Sequence, residues 1–224
     1  MLVNNCKDIT IAMNHKPLTD SHKPKLIAIV GPSACGKTSL AKRLGIGNTT
    51  LISQDQYYKD WSRLPFKERA NINFDHPNSF DFSLLQRHLR ALKRGEMIKV
   101  PTYCYKKHCR LTRRHTLYPK RYIIVEGLYP MHQKAIRKLF DIKIYVDINA
   151  PISLSRRIKR DVRHRGECLD SVCQKYFSIV LPMQKRYVER QKKWADLVLD
   201  GCTQVEKNAR LVLGLMRRRG LLNE

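Results

Sequence analysis

With 224 residues, the chain has room for one well-filled α/β domain and a small insertion. No apolar run approaches the roughly 20 residues that cross a bilayer, so no membrane partner is expected. Lys and Arg number 44 against 19 Asp and Glu, a formal charge of +25 that suits anionic ligands. Residues 1–24 read as a poorly ordered tail without the basic start and long apolar stretch of a secretory signal, so a cytoplasmic location is expected. The seven cysteines, an odd number, are then expected as reduced thiols.

Residues 26–30 are apolar and largely β-branched, as in a buried parallel strand, and run straight into Gly31, Pro32, Ser33, Ala34, Cys35, Gly36, Lys37 and Thr38. Gly31 and Gly36 permit a loop that turns its N–H groups toward a phosphate chain. Lys37 adds a point charge for the β/γ-phosphates, and Thr38 offers a hydroxyl to Mg²⁺. With Ser39, these residues predict a nucleoside triphosphate site at the start of a helix. Cys35 reads either as a small loop filler or as an oxidation-sensitive thiol.

A second strand is predicted at 49–53, ending in Gln54-Asp55, and the polar, aromatic stretch 56–80 suits an active-site loop. Apolar residues at 84, 85, 89 and 92 predict a helix over 83–94, with Gly95 as its stop. Residues 97–118 predict a β-hairpin with a basic tip. Further strands are predicted at 122–125, 142–146 and 197–199. Helices are predicted from about 151 to 163, resuming past Gly166 to about 193, and over 205–218. The alternation gives an α/β fold: a parallel sheet covered by helices on both faces, with a small inserted hairpin. A single domain is expected over 25–224, with the hairpin at about 97–118 and an Arg-rich helical lid at about 155–176.

Asp55, Glu126 and Asp147 each follow a predicted strand, where open α/β sheets place ligands. A carboxylate beside a phosphate loop can hold Mg²⁺ or accept a proton from an attacking hydroxyl. Asp147 reads instead as part of a helix entrance with Asn149. Residues 155–166 carry six Lys and Arg besides His164. Arg156, Arg160 and Arg163 share a helical face, with Arg157 about 100° away from Arg156. Such a run is either a solvated face or a lid closing on the γ-phosphate. The pairs Cys104/Cys109 and Cys168/Cys173 are spaced too widely for the usual zinc knuckle. Basic residues are spread over nearly all helices without interleaved aromatics, so only weak, non-specific nucleic-acid binding is expected.

Several ordered blocks together resemble the uridine–cytidine kinase family, within the uridine kinase and phosphoribulokinase group of P-loop kinases. They are GPSACGKT at 31–38, SQDQYYKD at 53–60, NFDHPNSFD at 73–81, VPTYCYKKHCR at 100–110, VEGLY at 125–129 and LSRRIKRDVRHRG at 154–166. The resemblance spans about 25–201 and implies a P-loop kinase fold that phosphorylates the 5′-hydroxyl of uridine or cytidine with ATP or GTP and Mg²⁺. It implies Asp55 as catalytic base, assisted by Lys37 and Arg160, and Thr38, Asp55 and Glu126 as the metal site. Asp75 would bind the ribose hydroxyls. Tyr103, His108, Arg157, Phe74, Tyr105 and Tyr58 would form the nucleoside site, and Arg160 and Arg165 would approach the triphosphate. It also implies a homo-oligomer, often a tetramer.

Two positions depart from the family pattern: Glu167 stands where the pyrimidine kinases have arginine, and Lys175 where they have glutamine. If these side chains meet, an ammonium hydrogen remains for the base; if not, a lone carboxylate repels a pyrimidine carbonyl. Either case predicts poorer base selectivity. The rival readings are a kinase for another riboside or hydroxyl substrate, and a catalytically weak nucleotide-binding protein whose basic surface serves RNA or a partner.

Overall fold

The structure, a computed structural model, describes residues 23–45 and 47–222, so nearly all of the expected tail lies outside it. A five-stranded sheet runs in the order β2 (Thr49–Ser53), β5 (Tyr122–Gly127), β1 (Lys25–Val30), β6 (Ile142–Asp147) and β7 (Leu197–Asp200), and each neighbouring pair is parallel. Residues 26–30 of β1 are all buried, as a central strand covered on both faces requires. Alternation sends its side chains into two cores. Leu26, Ala28 and Val30 pack with Leu85, Leu89 and Leu92 of α3 (Phe82–Lys93). Ile27 and Ile29 pack with Leu40 of α1 (Lys37–Leu44) and with Val212 and Met216 of α8 (Val205–Arg218). Each fully buried Leu, Ile or Val contributes about 1.5–3 kcal/mol, so these faces, more than helix propensity, hold α3 and α8 to the sheet.

Sequence-local devices set the helix ends. The Asp81 carboxylate accepts the Leu84 N–H at 2.9 Å to cap α3. Asn149 caps α5 (Ala150–Arg165) through the Ile152 N–H at 3.1 Å, with Pro151 in the first turn, which is the helix entrance expected there. Gly166, at φ 69°, turns the chain out of α5. The next segment begins as α6 (Leu169–Lys175) and passes through π-helical turns at Tyr176–Val180 and Gln184–Val188. Between them lies α7 (Leu181–Met183), and the segment ends in a 3-10 stretch, Glu189–Trp194. Short helices α2 (Phe66–Ala70) and α4 (Lys134–Arg137) complete the chain.

The inserted hairpin pairs β3 (Ile98–Cys104) with β4 (Cys109–Leu117) in a separate two-stranded sheet. Its register slips between Pro101 and Thr102, at the residue that has no N–H to give the ladder. Ile98 and Val100 anchor the hairpin in the α3 core, while residues 105–107 at its tip are exposed. Among the described residues no helix is long and apolar enough to cross a membrane.

Candidate active site

The phosphate loop links β1 to α1. A Cβ on Gly31 would sit 2.2 Å from the Val146 carbonyl oxygen of β6, so only glycine lets the chain leave β1 there. Gly36 takes φ 99°, a left-handed angle that aims the following N–H groups out of α1. Lys37 folds over the loop, its Nζ donating to the Pro32 carbonyl at 2.5 Å and lying 3.7 Å from Cys35 Sγ. Cys35 is completely buried beneath the loop, which suits the filler reading. The loop is also tied to α5. Ser153 Oγ donates to the Ser33 carbonyl at 2.9 Å, and Arg157 Nη1 donates to Ser33 Oγ at 3.2 Å.

Next to the loop stand two carboxylates. Glu126, next to last in β5, lies between Ile29 of β1 and Ser53 of β2, and its Oε2 accepts the Thr38 hydroxyl at 3.2 Å. Asp55 lies in the 3-10 turn Gln54–Tyr57 that follows β2 directly. Burial pushes its carboxyl up to about 6, helped by the charge of Glu126, while Lys37 and the Tyr105 hydroxyl, 3.3 Å from Oδ2, act the other way. A hydroxyl and two neighbouring carboxylates are a hard-oxygen set that fits a divalent cation such as Mg²⁺. Asp147 takes no part in this group: Lys192 Nζ pairs with it at 2.5 Å, and its Oδ1 accepts the Ile148 N–H.

Aromatic rings form the opposite end. His108 stacks on Phe74 with centroids 5.1 Å apart and planes 17° from parallel. Tyr58 packs against Phe74, Phe80 and Tyr103, and Tyr103 meets Tyr105 edge-on. Burial, then the charges of Arg69 and Lys175, hold the His108 imidazole below its ordinary pKa, so it stays neutral near pH 7. Asp75 is set beside this shelf by its neighbours, its N–H donating to Asn73 Oδ1 at 3.0 Å and its carbonyl accepting the Tyr129 hydroxyl. Past Gly166, Glu167 just before α6 and Lys175 at the end of α6 pair, Nζ to Oε2, at 2.9 Å.

Both ends belong to one cleft of about 1220 Å³. Ser33, Ala34, Gly36, Lys37, Thr38 and Ser39 line its floor, with Asp55 and Glu126 beside them. Tyr58, Phe74, Asp75, Tyr103, Tyr105 and His108 line the far end, and Arg157, Arg160, Glu167 and Lys175 close over it. Gly31, Pro32 and Cys35 do not line the cleft; they shape the loop from behind. The sequence reading gave no role to Gln54 or Tyr129. Gln54 is fully buried and its Oε1 accepts the Tyr129 N–H at 2.7 Å, which braces the turn carrying Asp55 against the segment after β5. Its position next to Asp55 was the available signal.

A glycine-rich loop leaving a central parallel strand, with Asp55 and Glu126 held near the ends of two neighbouring strands and an arginine-bearing helix overhanging them, defines a P-loop kinase fold. More particularly, the chain belongs to the phosphoribulokinase / uridine kinase family, whose model matches residues 26–207. A uridine kinase of Geobacillus sp. (strain WCH70) is 42% identical over 181 residues, covering 79% of this chain and 86% of that protein. A uridine kinase of Staphylococcus aureus (strain JH9) is 42% identical over 178 residues, covering 78% and 86%. Among solved structures, one described as a possible uridine kinase from Bacillus stearothermophilus superposes with TM-score 0.59 at 19% identity, covering 81% of this chain and 91% of that one.

Proposed function

We propose that the chain transfers the terminal phosphoryl group of ATP or GTP to the 5′-hydroxyl of a ribonucleoside, with uridine and cytidine the first candidates. The observation that carries this reading is Asp55, a half-buried carboxylate that lines one cleft with both the phosphate loop and the aromatic shelf. A base so placed accepts the hydroxyl proton as that oxygen attacks the γ-phosphorus. The loop N–H groups and Lys37 hold the phosphate chain, and Arg160 brings positive charge to the transferring group. Asp75 binds the ribose hydroxyls, while Phe74 and His108 offer a stacking surface to the base. Thr38, Asp55 and Glu126 would hold Mg²⁺, which neutralises phosphate charge when bound. The names of the relatives support a pyrimidine riboside, and hence a place in pyrimidine salvage in the cytoplasm. A homotetramer follows from family resemblance alone.

The Glu167–Lys175 pair favours a second reading, a kinase for a riboside with another base. A panel of ribosides with γ-labelled ATP separates the two, and labelled UMP and CMP are the expected products. If no riboside yields a labelled monophosphate while ATP still binds, the chain is a nucleotide-binding protein rather than a kinase.

A further inference from the structure

Asp161 is 1% exposed, the one fully buried carboxylate side chain among the described residues. A carboxylate taken this far from water persists only where cations compensate for its lost hydration. Arg160 grips it side-on, Nε to Oδ1 at 2.7 Å and Nη2 to Oδ2 at 3.2 Å. Arg157 Nε lies 3.2 Å from Oδ2, an ion pair rather than a well-aligned hydrogen bond. Through the Arg157 contact to Ser33, the buried charge is connected to the phosphate loop. Its backbone carbonyl meanwhile accepts the N–H groups of Gly166 and Glu167, so the same residue ends α5 where the chain turns toward α6.

Two guanidinium groups on one helix repel each other, and each side chain has several free torsions. A carboxylate between them removes both difficulties. It offsets the repulsion and fixes the guanidinium planes from behind, leaving the remaining N–H donors for a ligand in the cleft that both arginines line. We propose that Asp161 is a positioning residue for phosphoryl transfer: it presents Arg157 and Arg160 to the transferring group as one prearranged unit. This rests on the kinase reading above.

Asp161→Asn separates this role from simpler ones, because its two effects have opposite signs. Removing a negative charge beside the cleft favours ATP binding, whereas releasing the arginines slows transfer. The expected result is a kcat about 10–100-fold lower, since small misplacements of a charge-stabilising group weigh heavily on rate. ATP affinity, read with a fluorescent ATP analogue, should stay equal or tighten by up to about threefold. On an Arg157→Met/Arg160→Met background the same change should alter kcat by less than about threefold, because its targets are gone. Arg160→Lys, which keeps the charge but cannot grip side-on, should lower kcat by about tenfold.

Transfer is followed both to uridine and to water. A parent that binds ATP yet phosphorylates no riboside sinks the kinase reading, and the rate to water still decides the role of Asp161. A folded Asp161→Asn enzyme with kcat within threefold of the parent overturns the proposal. So does an equal loss with and without the arginines, which marks a merely structural residue. Should Asp161→Asn fail to fold, a parental kcat in Arg160→Lys overturns it as well.

Discussion

The end of the cleft proposed for phosphate is made of backbone and strand ends, whereas the end proposed for the nucleoside is made of side chains from the hairpin, the 56–80 segment and the stretch from Glu167 to Lys175. At the first, Gly31 is wedged against β6, and Glu126 is fixed by two parallel neighbours. At the second, Tyr105 is half exposed and Lys175 keeps 54% of its side-chain surface. A phosphate chain is common to every triphosphate, so a rigid, main-chain cradle suffices for it. Bases differ at their edges, and selecting among them calls for side chains that can change without disturbing the sheet.

The hardest blow to this contrast falls on Asp55, which serves both ends. Asp55→Asn keeps the shape but removes the proton acceptor, so kcat should fall about 10²–10⁴-fold while ATP affinity stays near parental. Steady-state rates and ATP titration check this, and turnover within a few-fold of the parent would show that Asp55 is not the base. A smaller effect sharpens the nucleoside end. Glu167→Arg with Lys175→Gln replaces an ion pair by groups rich in donors. Preference for uridine over inosine, taken as the ratio of kcat/KM values, should rise about tenfold with ATP binding unchanged. A parent already sharply selective for uridine, with no gain in the double variant, would remove these two residues from base selection.

The mildest prediction concerns the support beneath Asp55. Tyr57, in the same 3-10 turn, bonds through its hydroxyl to His88 Nδ1 on α3 at 2.9 Å. Burial, reinforced by Arg87 and Arg114, holds the His88 imidazole down to about 4, below the usual value near 6.5. The unfolded chain therefore binds the extra proton first. Stability from this site is complete above pH 6.5 and is lost as the pH falls toward 4, by about 1–2 kcal/mol after solvent screening. Thermal melts should show that slope, and His88→Gln should flatten it; an unchanged slope would place the acid sensitivity elsewhere.

The phosphate end was legible in the sequence because its parts are local. A strand, a glycine-rich loop and a helix start lie within residues 25–44, and Glu126 ends a short apolar run. The hairpin was legible from two strand-like runs flanking a basic tip, although its bulge at Pro101 was not. The nucleoside end was only partly legible, because its contacts depend on how distant segments stack. Glu167 precedes α6 and Lys175 ends it, eight residues on, a spacing with no helical phase to place them face to face. Their meeting was left open by the sequence, and the structure brings the two side chains together. Gln54, Tyr129 and Asp161 gave little signal for the same reason: a buried polar group is defined by the partners that fold around it. The π-helical turns after α6 depend on how that segment packs, and apolar periodicity predicted only a continuous helix there.

The sheet order has a consequence for how the protein is made. β1 carries the most apolar run at the heart of the sheet, yet its neighbours are β5 and β6, about a hundred residues further along. At translation rates of ~5–20 residues per second, that strand waits on the order of ten seconds before either partner has been synthesised. During this interval both its edges are unpaired, even once α1 and α3 can cover its faces, so a nascent chain stalled short of residue 127 carries an unsheltered strand near its start. Chaperone demand should therefore peak midway through synthesis, fall as β5 leaves the ribosome and end once β6 has followed.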